Sequence, residues 1–348
     1  MLNPDQKLND GVFGDKVERV SMRQGFGEGL VRAADIKPDV VALCADLTES
    51  TQMSVFRTKY PERFVELGVA EQNLAAVASG MAAMGKIPFM ASYAIFSPGR
   101  NWEQIRTTIA YNNVPVKIVS SHCGVNVGPD GGSHQALEDI ALMRVLPRMT
   151  VISPCDAIEA RKATLAASTT KEPTYIRLTR EKSPLITTDQ TPFEIGKAAI
   201  VYRTASSIMS AQNRKGRSTK PEVNKVDIGI VATGALLYQA LKAAKRLEDE
   251  GRSVIVMNLA TVKPLDGDAI IKLAHESGAL VTVEEHQIAG GMGSAVAECL
   301  ARHFPVPIEF IGVKDRFGQS GTASELIELY EMGESHIYKA VNKVLMRK

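Results

Sequence analysis

Apolar and polar positions change period along this chain in a regular way. Between about residues 38 and 180, short runs rich in aliphatic and β-branched side chains alternate with longer amphipathic ones. VVALCA (40–45), RFVELGV (63–69), IPFMAS (87–92), PVKIVSS (115–121), MTVIS (149–153) and TYIRLT (174–179) have the length and composition of strands. NWEQIRTTIAYN (101–112) and CDAIEARKATLAAS (155–168) have the apolar spacing of helices. Strands that are apolar on both faces, joined by helical crossovers, predict a parallel sheet covered on each side.

The period is lost over PLITTDQTPFEIGKA (184–198), which carries two prolines and reads as a connection between domains. RTASSIMSAQNRKGRSTKPEVNK (203–225) is polar and basic and has little to bury, so it reads as an exposed insertion. Alternation then resumes. DIGIVAT (227–233), SVIVMNL (253–259), ALVTVEE (279–285) and IEFIGV (308–313) read as strands. Helices are expected through 235–251, 268–277 and 293–304. The expected fold class is therefore α/β, with two α/β domains, each a largely parallel sheet flanked by helices. Their bounds are 12–186 and 227–348, with a linker over 187–202 and an insertion over 203–226.

Composition narrows the function classes. The length of 348 residues suits two domains, and 45% hydrophobic residues suit a packed core. A net charge of +2 offers no large electrostatic footprint for nucleic acid or a membrane surface. No apolar run approaches the ~18 residues of a membrane span, and the N-terminal MLNPDQKLNDGVFGDK has no apolar signal core. Cys44, Cys123, Cys155 and Cys299 are far apart and form no CxxC pair, which suits reduced thiols in a cytoplasmic protein.

Three stretches could carry chemistry. In ELGVAEQN (66–73), Glu71 lies between a strand-like run and a helix-like run, both of which look buried. A carboxylate there either faces the positive end of the helix dipole, worth ~0.3–1 kcal/mol, or hydrogen-bonds a nitrogen of a ligand. In SHCGVNVGPDGGSHQALED (121–139), glycines surround His122, Asp130 and His134 just after a strand. Glycine allows tight turns and close backbone approach, and ligands of α/β sheets bind at the strands' carboxyl ends. The interval between the two histidines fits no metal-binding helix face; an ordinary surface loop is the plain alternative. In SYAIFSPGRNW (92–102), Tyr93 and Phe96 are either core aromatics or a stacking surface for a flat heterocycle.

These stretches, in this order, resemble the pyrimidine-binding and C-terminal domains of transketolase, from about residue 10 to the end. GVAEQN resembles that family's GxxE segment, which implies that Glu71 binds the aminopyrimidine of thiamin diphosphate. Tyr93 and Phe96 resemble its aromatic pair. HCGVNVGPDGGSHQ resembles its histidine and glycine loop and aligns His122, Asp130, His134 and Gln135. DLTES supplies Asp46 and Ser50, LTR supplies Arg180, and SMRQGFGEGL supplies Arg23. Gly124, Pro129 and Gly132 depart from the residues often found there, and Gly99 replaces a third aromatic.

The resemblance implies transfer of a two-carbon ketol unit from a ketose phosphate to an aldose phosphate. Catalytic roles fall on Glu71, His134 and His122. Cofactor contacts fall on Glu71, Phe96, Tyr93 and Asp46. Sugar phosphates would meet Arg23, Ser50, His122, Asp130, His134 and Arg180, since guanidinium suits bidentate phosphate contacts.

The family anchors the cofactor's diphosphate through a divalent metal and a Gly-Asp-Gly motif. This chain has no GDG; NDG (9–11), PDG (129–131) and LDG (265–267) follow no suitable strand. The resemblance is thus to the C-terminal subunit of a split transketolase. Mg²⁺ and the diphosphate are expected on a separate N-terminal transketolase subunit, and two copies of each chain are expected in a heterotetramer. Deoxyxylulose-phosphate synthase and the beta subunit of a 2-oxoacid dehydrogenase decarboxylase are related alternatives. A non-catalytic scaffold is the alternative of a different class. In EEHQIAGGMGSAVAE (284–298) the glycines predict a tight strand-to-helix turn, with His286 structural.

Overall fold

In a computed structural model that describes residues 1–14, 16–204 and 226–348, the strands fall into three sheets. In the N-terminal half they are β1 (Arg19–Ser21), β2 (Val40–Cys44), β3 (Phe64–Glu66), β4 (Ile87–Tyr93), β5 (Lys117–Ser121), β6 (Thr150–Ile152), β7 (Thr174–Arg177) and β8 (Lys182–Pro184). In the C-terminal half they are β9 (Ala199–Arg203), β10 (Ile228–Ala232), β11 (Val254–Asn258), β12 (Thr261–Lys263), β13 (Leu280–Gln287) and β14 (Ile308–Val313). The seven-stranded sheet has the order β12-β6-β7-β5-β4-β2-β3, and the five-stranded sheet β14-β13-β10-β11-β9; β1 and β8 form a separate antiparallel pair. Within the two larger sheets all neighbours are parallel except the edge pairs β12 with β6 and β9 with β11. The two-domain α/β architecture read from the periodicity is the one found. Every residue of β2, β5, β6, β7, β10 and β11 is buried, which is why these strands read as unbroken apolar runs.

The expectation of a connection over 187–202 meets two facts. β9 begins inside it and completes the edge of the second sheet. Asp156, fully buried, accepts hydrogen bonds from the Ile186 and Thr187 amides at 2.8 and 2.6 Å, so the start of the segment is pinned to the first half. Of the expected insertion, residues 205–225 lie outside the described residues.

The helix Met22–Ile36 is absent from the sequence reading. Gly25, Gly27 and Gly29 break its periodicity and lower helix propensity. Packing explains them. A Cβ on Gly25 would overlap the Ala157 carbonyl, and one on Gly29 would stand 2.7 Å from the Arg161 carbonyl. Gly25 and Gly29 let this helix and Ala157–Ala167 touch backbone to backbone, while a Cβ on Gly27 would stand 2.8 Å from the Gln52 carbonyl. Phe26, Phe56, Phe89, Val119 and Ile176 fill the layer between these helices and the sheet.

The two halves share buried structure. β12, from the C-terminal half, pairs antiparallel with β6 of the first sheet. Asn258 Nδ2 donates to Glu159 Oε1 at 2.8 Å, and the Asn126 amide donates to Glu285 Oε1 at 2.6 Å. Arg177 on β7 donates from Nε to Asp139 Oδ2 (2.8 Å) and from Nη2 to the Glu285 carbonyl (2.7 Å). The Glu284 carboxylate accepts from the Met292 and Gly293 amides at 2.6 and 2.8 Å, so the start of the helix Met292–His303 is occupied from within. His286 is fully buried; its Nδ1 lies 2.6 Å from the Gln287 carbonyl, and its Nε2 accepts from the Ala141 amide at 3.3 Å, as a structural histidine would. Among the described residues no helix is long and apolar enough to cross a membrane.

Candidate functional site

Glu71 opens the helix Glu71–Ala83 and is only 3% exposed. Asn101, itself fully buried, holds the backbone there: its Nδ2 donates to the Glu71 carbonyl at 2.8 Å. Among the described residues the Glu71 carboxylate makes no hydrogen bond. Its charged neighbour is Arg100, with Nη1 at 3.6 Å from Oε2. Arg100 is 56% exposed, and its guanidinium carbon lies 5.0 Å from the centre of the Phe96 ring. Sequence reasoning missed both Arg100 and Asn101. They directly follow the SPG turn, where a positive side chain gives no signal of what it faces.

From Arg100 the site runs through a series of rings at the carboxyl ends of β4 and β5. Phe96 and Tyr93 are nearly parallel (16°), with centroids 6.0 Å apart. His122 stacks on Tyr93 at 3.6 Å, and His134 meets Phe96 edge-on at 5.5 Å. The turn after β4 explains Gly99. A Cβ there would collide with the Ile95 carbonyl, so an aromatic side chain is excluded by backbone geometry at this position.

The far end is basic. Arg23 Nη1 donates to the Ser50 carbonyl at 2.7 Å, and Nη2 to the Arg180 carbonyl at 2.8 Å. Arg180 Nη1 donates to the Val127 carbonyl at 3.2 Å. Glu71, Phe96, Tyr93, His122, His134, Arg23 and Arg180 are thus linked in one continuous cluster. Ser50 joins it through its backbone. Asp46 and Asp130 are exposed, and among the described residues their carboxylates make no hydrogen bond or ion pair. The loop carrying Asp46 is held instead by Glu66, whose carboxylate accepts from the Asp46 amide and the Thr48 hydroxyl, both at 2.7 Å.

His122 has a specific electrostatic character. Its burial, with Arg23, Arg180 and His134 close by, pushes its pKa down to about 3. Each factor disfavours the imidazolium form. The side chain is therefore a neutral imidazole at physiological pH, with Nδ1 2.9 Å from the Ser121 hydroxyl. An NMR titration should find the His122 ring signals flat from pH 8 to about 4.5, far below the ordinary histidine midpoint of about 6.5. A midpoint near 6.5 would show that the ring is solvated and the cluster open.

The glycine loop is shaped by backbone freedom. Gly124, Gly128 and Gly131 have φ of 78°, 77° and 75°, in the region that favours glycine. They fold residues 124–135 into a compact turn that carries His134 back toward the aromatic pair. Among the described residues no three His, Cys, Asp or Glu side chains converge as a metal site.

This cluster, a buried carboxylate at one end and guanidinium groups at the other, lies on a chain that matches known proteins along its length. Residues 18–184 match the transketolase pyrimidine binding domain, and residues 218–337 the transketolase C-terminal domain. A putative transketolase C-terminal section of Methanocaldococcus jannaschii is 39% identical, covering 92% of this chain and 95% of that protein. A 6-deoxy-6-sulfo-D-fructose transketolase subunit of Clostridium sp. is 36% identical over 97% of this chain and 98% of its own. Among solved structures, a split gene transketolase described as an inactive beta4 tetramer has a TM-score of 0.82 and 39% identity, covering 94% of this chain and 99% of that one. The chain belongs to the transketolase family, as a C-terminal section made of the pyrimidine binding and C-terminal domains.

Proposed function

We propose that this chain is the pyrimidine-side subunit of a two-polypeptide transketolase that uses thiamin diphosphate to move a two-carbon ketol unit between sugar phosphates. The observation that carries the reading is Glu71. This carboxylate is 3% exposed, makes no hydrogen bond among the described residues and has only the half-exposed Arg100 at 3.6 Å, so its acceptor capacity is left for a ligand. Arg100 bridges it to the Phe96 ring, and Asn101 fixes its backbone. A ring nitrogen of a flat heterocycle stacked near Phe96 uses that capacity, so the residues present fit the cofactor's aminopyrimidine.

Thiamin diphosphate, when bound, supplies the electron sink that lets a carbon–carbon bond beside a carbonyl break. The protein's residues do the rest. Glu71 holds a proton at the ring nitrogen. Phe96, with Tyr93 behind it, sets the plane of the ring. His122, kept neutral, offers a hydrogen bond to a substrate oxygen without bringing a charge of its own. His134 faces the same space and contacts the sugar. Arg23 and Arg180 hold the distal anion. That anion can be a phosphate or, as the name of the Clostridium relative suggests, a sulfonate; both are tetrahedral and suit guanidinium. Asp46 and Asp130 are free to reach a bound cofactor or substrate from the rim.

The diphosphate and its Mg²⁺ are assigned to a partner polypeptide, and the working assembly to two copies of each chain. Three points support this: the missing Gly-Asp-Gly motif, relatives named as sections and subunits, and the beta-only tetramer described as inactive.

The test is reconstitution. The tagged chain is recovered from its own cells with its bound partner, and the same chain is purified alone. With thiamin diphosphate, Mg²⁺, a ketose phosphate or sulfonate donor and an aldose phosphate, the complex turns over. The chain alone shows no ketol transfer. Transfer at the complex's rate by the chain alone would overturn the subunit reading.

A further inference from the structure

The base of the glycine loop is held within its own half: the Gly124 amide donates to the Ala136 carbonyl at 2.9 Å, and Arg180 reaches the Val127 carbonyl. Its tip also lies against the segment Phe317–Gly321 of the C-terminal half. Gln135, 3% exposed, donates from Nε2 to the Gln319 carbonyl at 3.0 Å and to the Val125 carbonyl at 3.2 Å. Its Oε1 is buried without a hydrogen-bond partner among the described residues, pressed against Gly318, where a Cβ would overlap it. A Cβ on Gly132 would stand 2.6 Å from the Gly318 carbonyl, and one on Gly131 would stand 2.5 Å from the Ser320 hydroxyl. Between Gly132 and Gly318 backbone meets backbone because neither carries a side chain.

The segment is itself anchored. Tyr330, 3% exposed, donates its hydroxyl to the Phe317 carbonyl at 2.7 Å. Gln287 Nε2 donates to the Arg316 carbonyl at 2.7 Å. The C-terminal half therefore presents a turn tied at Arg316 and Phe317, against which the loop tip packs. His134 sits between Gly132 and Gln135 and donates its amide to the Gly131 carbonyl at 3.0 Å. Its ring position follows from where the tip is seated.

We propose that the turn Phe317–Gly321 of the C-terminal domain is a positioning element for the sugar side of the site, acting through Gln135 and the glycines of the loop on His134. This rests on the functional reading given above, in which His134 faces the substrate. It assigns the C-terminal domain a part in substrate binding while the cofactor end, Glu71 and Phe96, stays independent of it.

Gly318→Ala and Tyr330→Phe test it, each in the purified chain and in the complex recovered with its partner. Alanine at 318 displaces the Gln135 amide; phenylalanine at 330 frees the turn without touching the loop. Amide exchange over residues 128–135 is expected to quicken about tenfold or more, with exchange over Glu71–Ala83 unchanged. In the complex, kcat/KM for the ketose donor is expected to fall ~10–100-fold, since misplacing a binding group by about 1 Å has effects of that order. The Kd for thiamin diphosphate stays within about twofold. A loss of packing alone would weaken cofactor and sugar together.

Unchanged loop exchange and unchanged donor kinetics in both variants overturn the proposal. If Gly318→Ala does not fold, Tyr330→Phe decides it. Glu71→Ala serves as the control in the same complex. Normal turnover in that variant removes the functional reading, while the exchange data still decide whether the turn seats the loop.

Discussion

Glu71→Ala in the reconstituted complex is expected to lower kcat ~10²–10⁴-fold, the range for loss of a positioned proton-handling group. Stability should change little or rise slightly. The carboxylate is almost fully buried and makes no hydrogen bond among the described residues, so alanine removes no supporting contact beyond the long, half-exposed Arg100 pair. Glu71→Gln keeps the shape but can no longer exchange a proton, and it should lose nearly as much rate. The competing explanation is Arg100. At 3.6 Å the pair is too long for a hydrogen bond, and Arg100 is more than half exposed, so its attraction is weak. If Glu71 served only as its counter-ion, Arg100→Met would abolish turnover as fully as Glu71→Ala. If Glu71 serves a ligand, Arg100→Met retains most of the rate. Steady-state kinetics and a denaturation curve for each variant separate the two. Full activity in Glu71→Ala would leave the chain a scaffold in which the carboxylate is structural.

The largest loss of stability is expected from Arg177→Met, about 3–5 kcal/mol, the usual cost of stranding one member of a buried ion pair. Arg177 and Asp139 are 3% and 1% exposed, and Nε donates to Oδ2 at 2.8 Å. Tyr175 adds a hydroxyl to the same oxygen at 2.7 Å. Burial is the largest single influence and pushes the Asp139 carboxyl up; the Arg177 charge, with His286 nearby and the hydrogen bonds from Arg177 and Tyr175, together outweigh it and hold the group below its ordinary value.

The pH dependence follows in sign. With Arg177 present, the folded carboxyl is depressed, so its contribution is in place above the unfolded carboxyl's pKa and is lost as acid protonates the folded group. Without Arg177, burial dominates and the folded carboxyl rises. That variant gains stability as pH falls, because the native state then binds the proton more tightly than the unfolded one. The deficit relative to the natural chain should be largest near pH 7 and shrink toward pH 5. Replacing both partners, Arg177→Met with Asp139→Leu, should recover part of the loss, since no charge is then stranded. Urea denaturation at pH 5 and pH 7 measures all of this. A deficit below about 1 kcal/mol at pH 7 would mean that water reaches the pair. Arg177 also reaches the Glu285 carbonyl, so the variant should loosen contact between the two halves as well as the first sheet.

Much of this molecule could be read from its one-dimensional pattern. The central strands are buried on both faces, so each is a short apolar run whose position depends only on its own residues and the turns around it. The candidate residues could be read for a similar reason: loops at the strands' carboxyl ends keep motif residues close in sequence, as in HCGVNVGPDGGSHQ and YAIF. Periodicity therefore determined the α/β class, the main strands and most crossover helices. Local motif order determined where the carboxylate, the aromatic pair and the histidines would fall.

Only the tertiary structure decided the rest, because the cause in each case lies far away in the chain. The glycines of Met22–Ile36 look like helix breakers until the carbonyls of Ala157 and Arg161 are set against them. β12 is three residues long and has no pattern of its own; its partner β6 lies in the other half. Arg100 beside Glu71 and the Gly318 turn beneath the glycine loop are likewise choices of neighbour. Local propensity carries no information about a contact whose energy depends on a partner 30 to 190 residues distant, and packing, not periodicity, selects it.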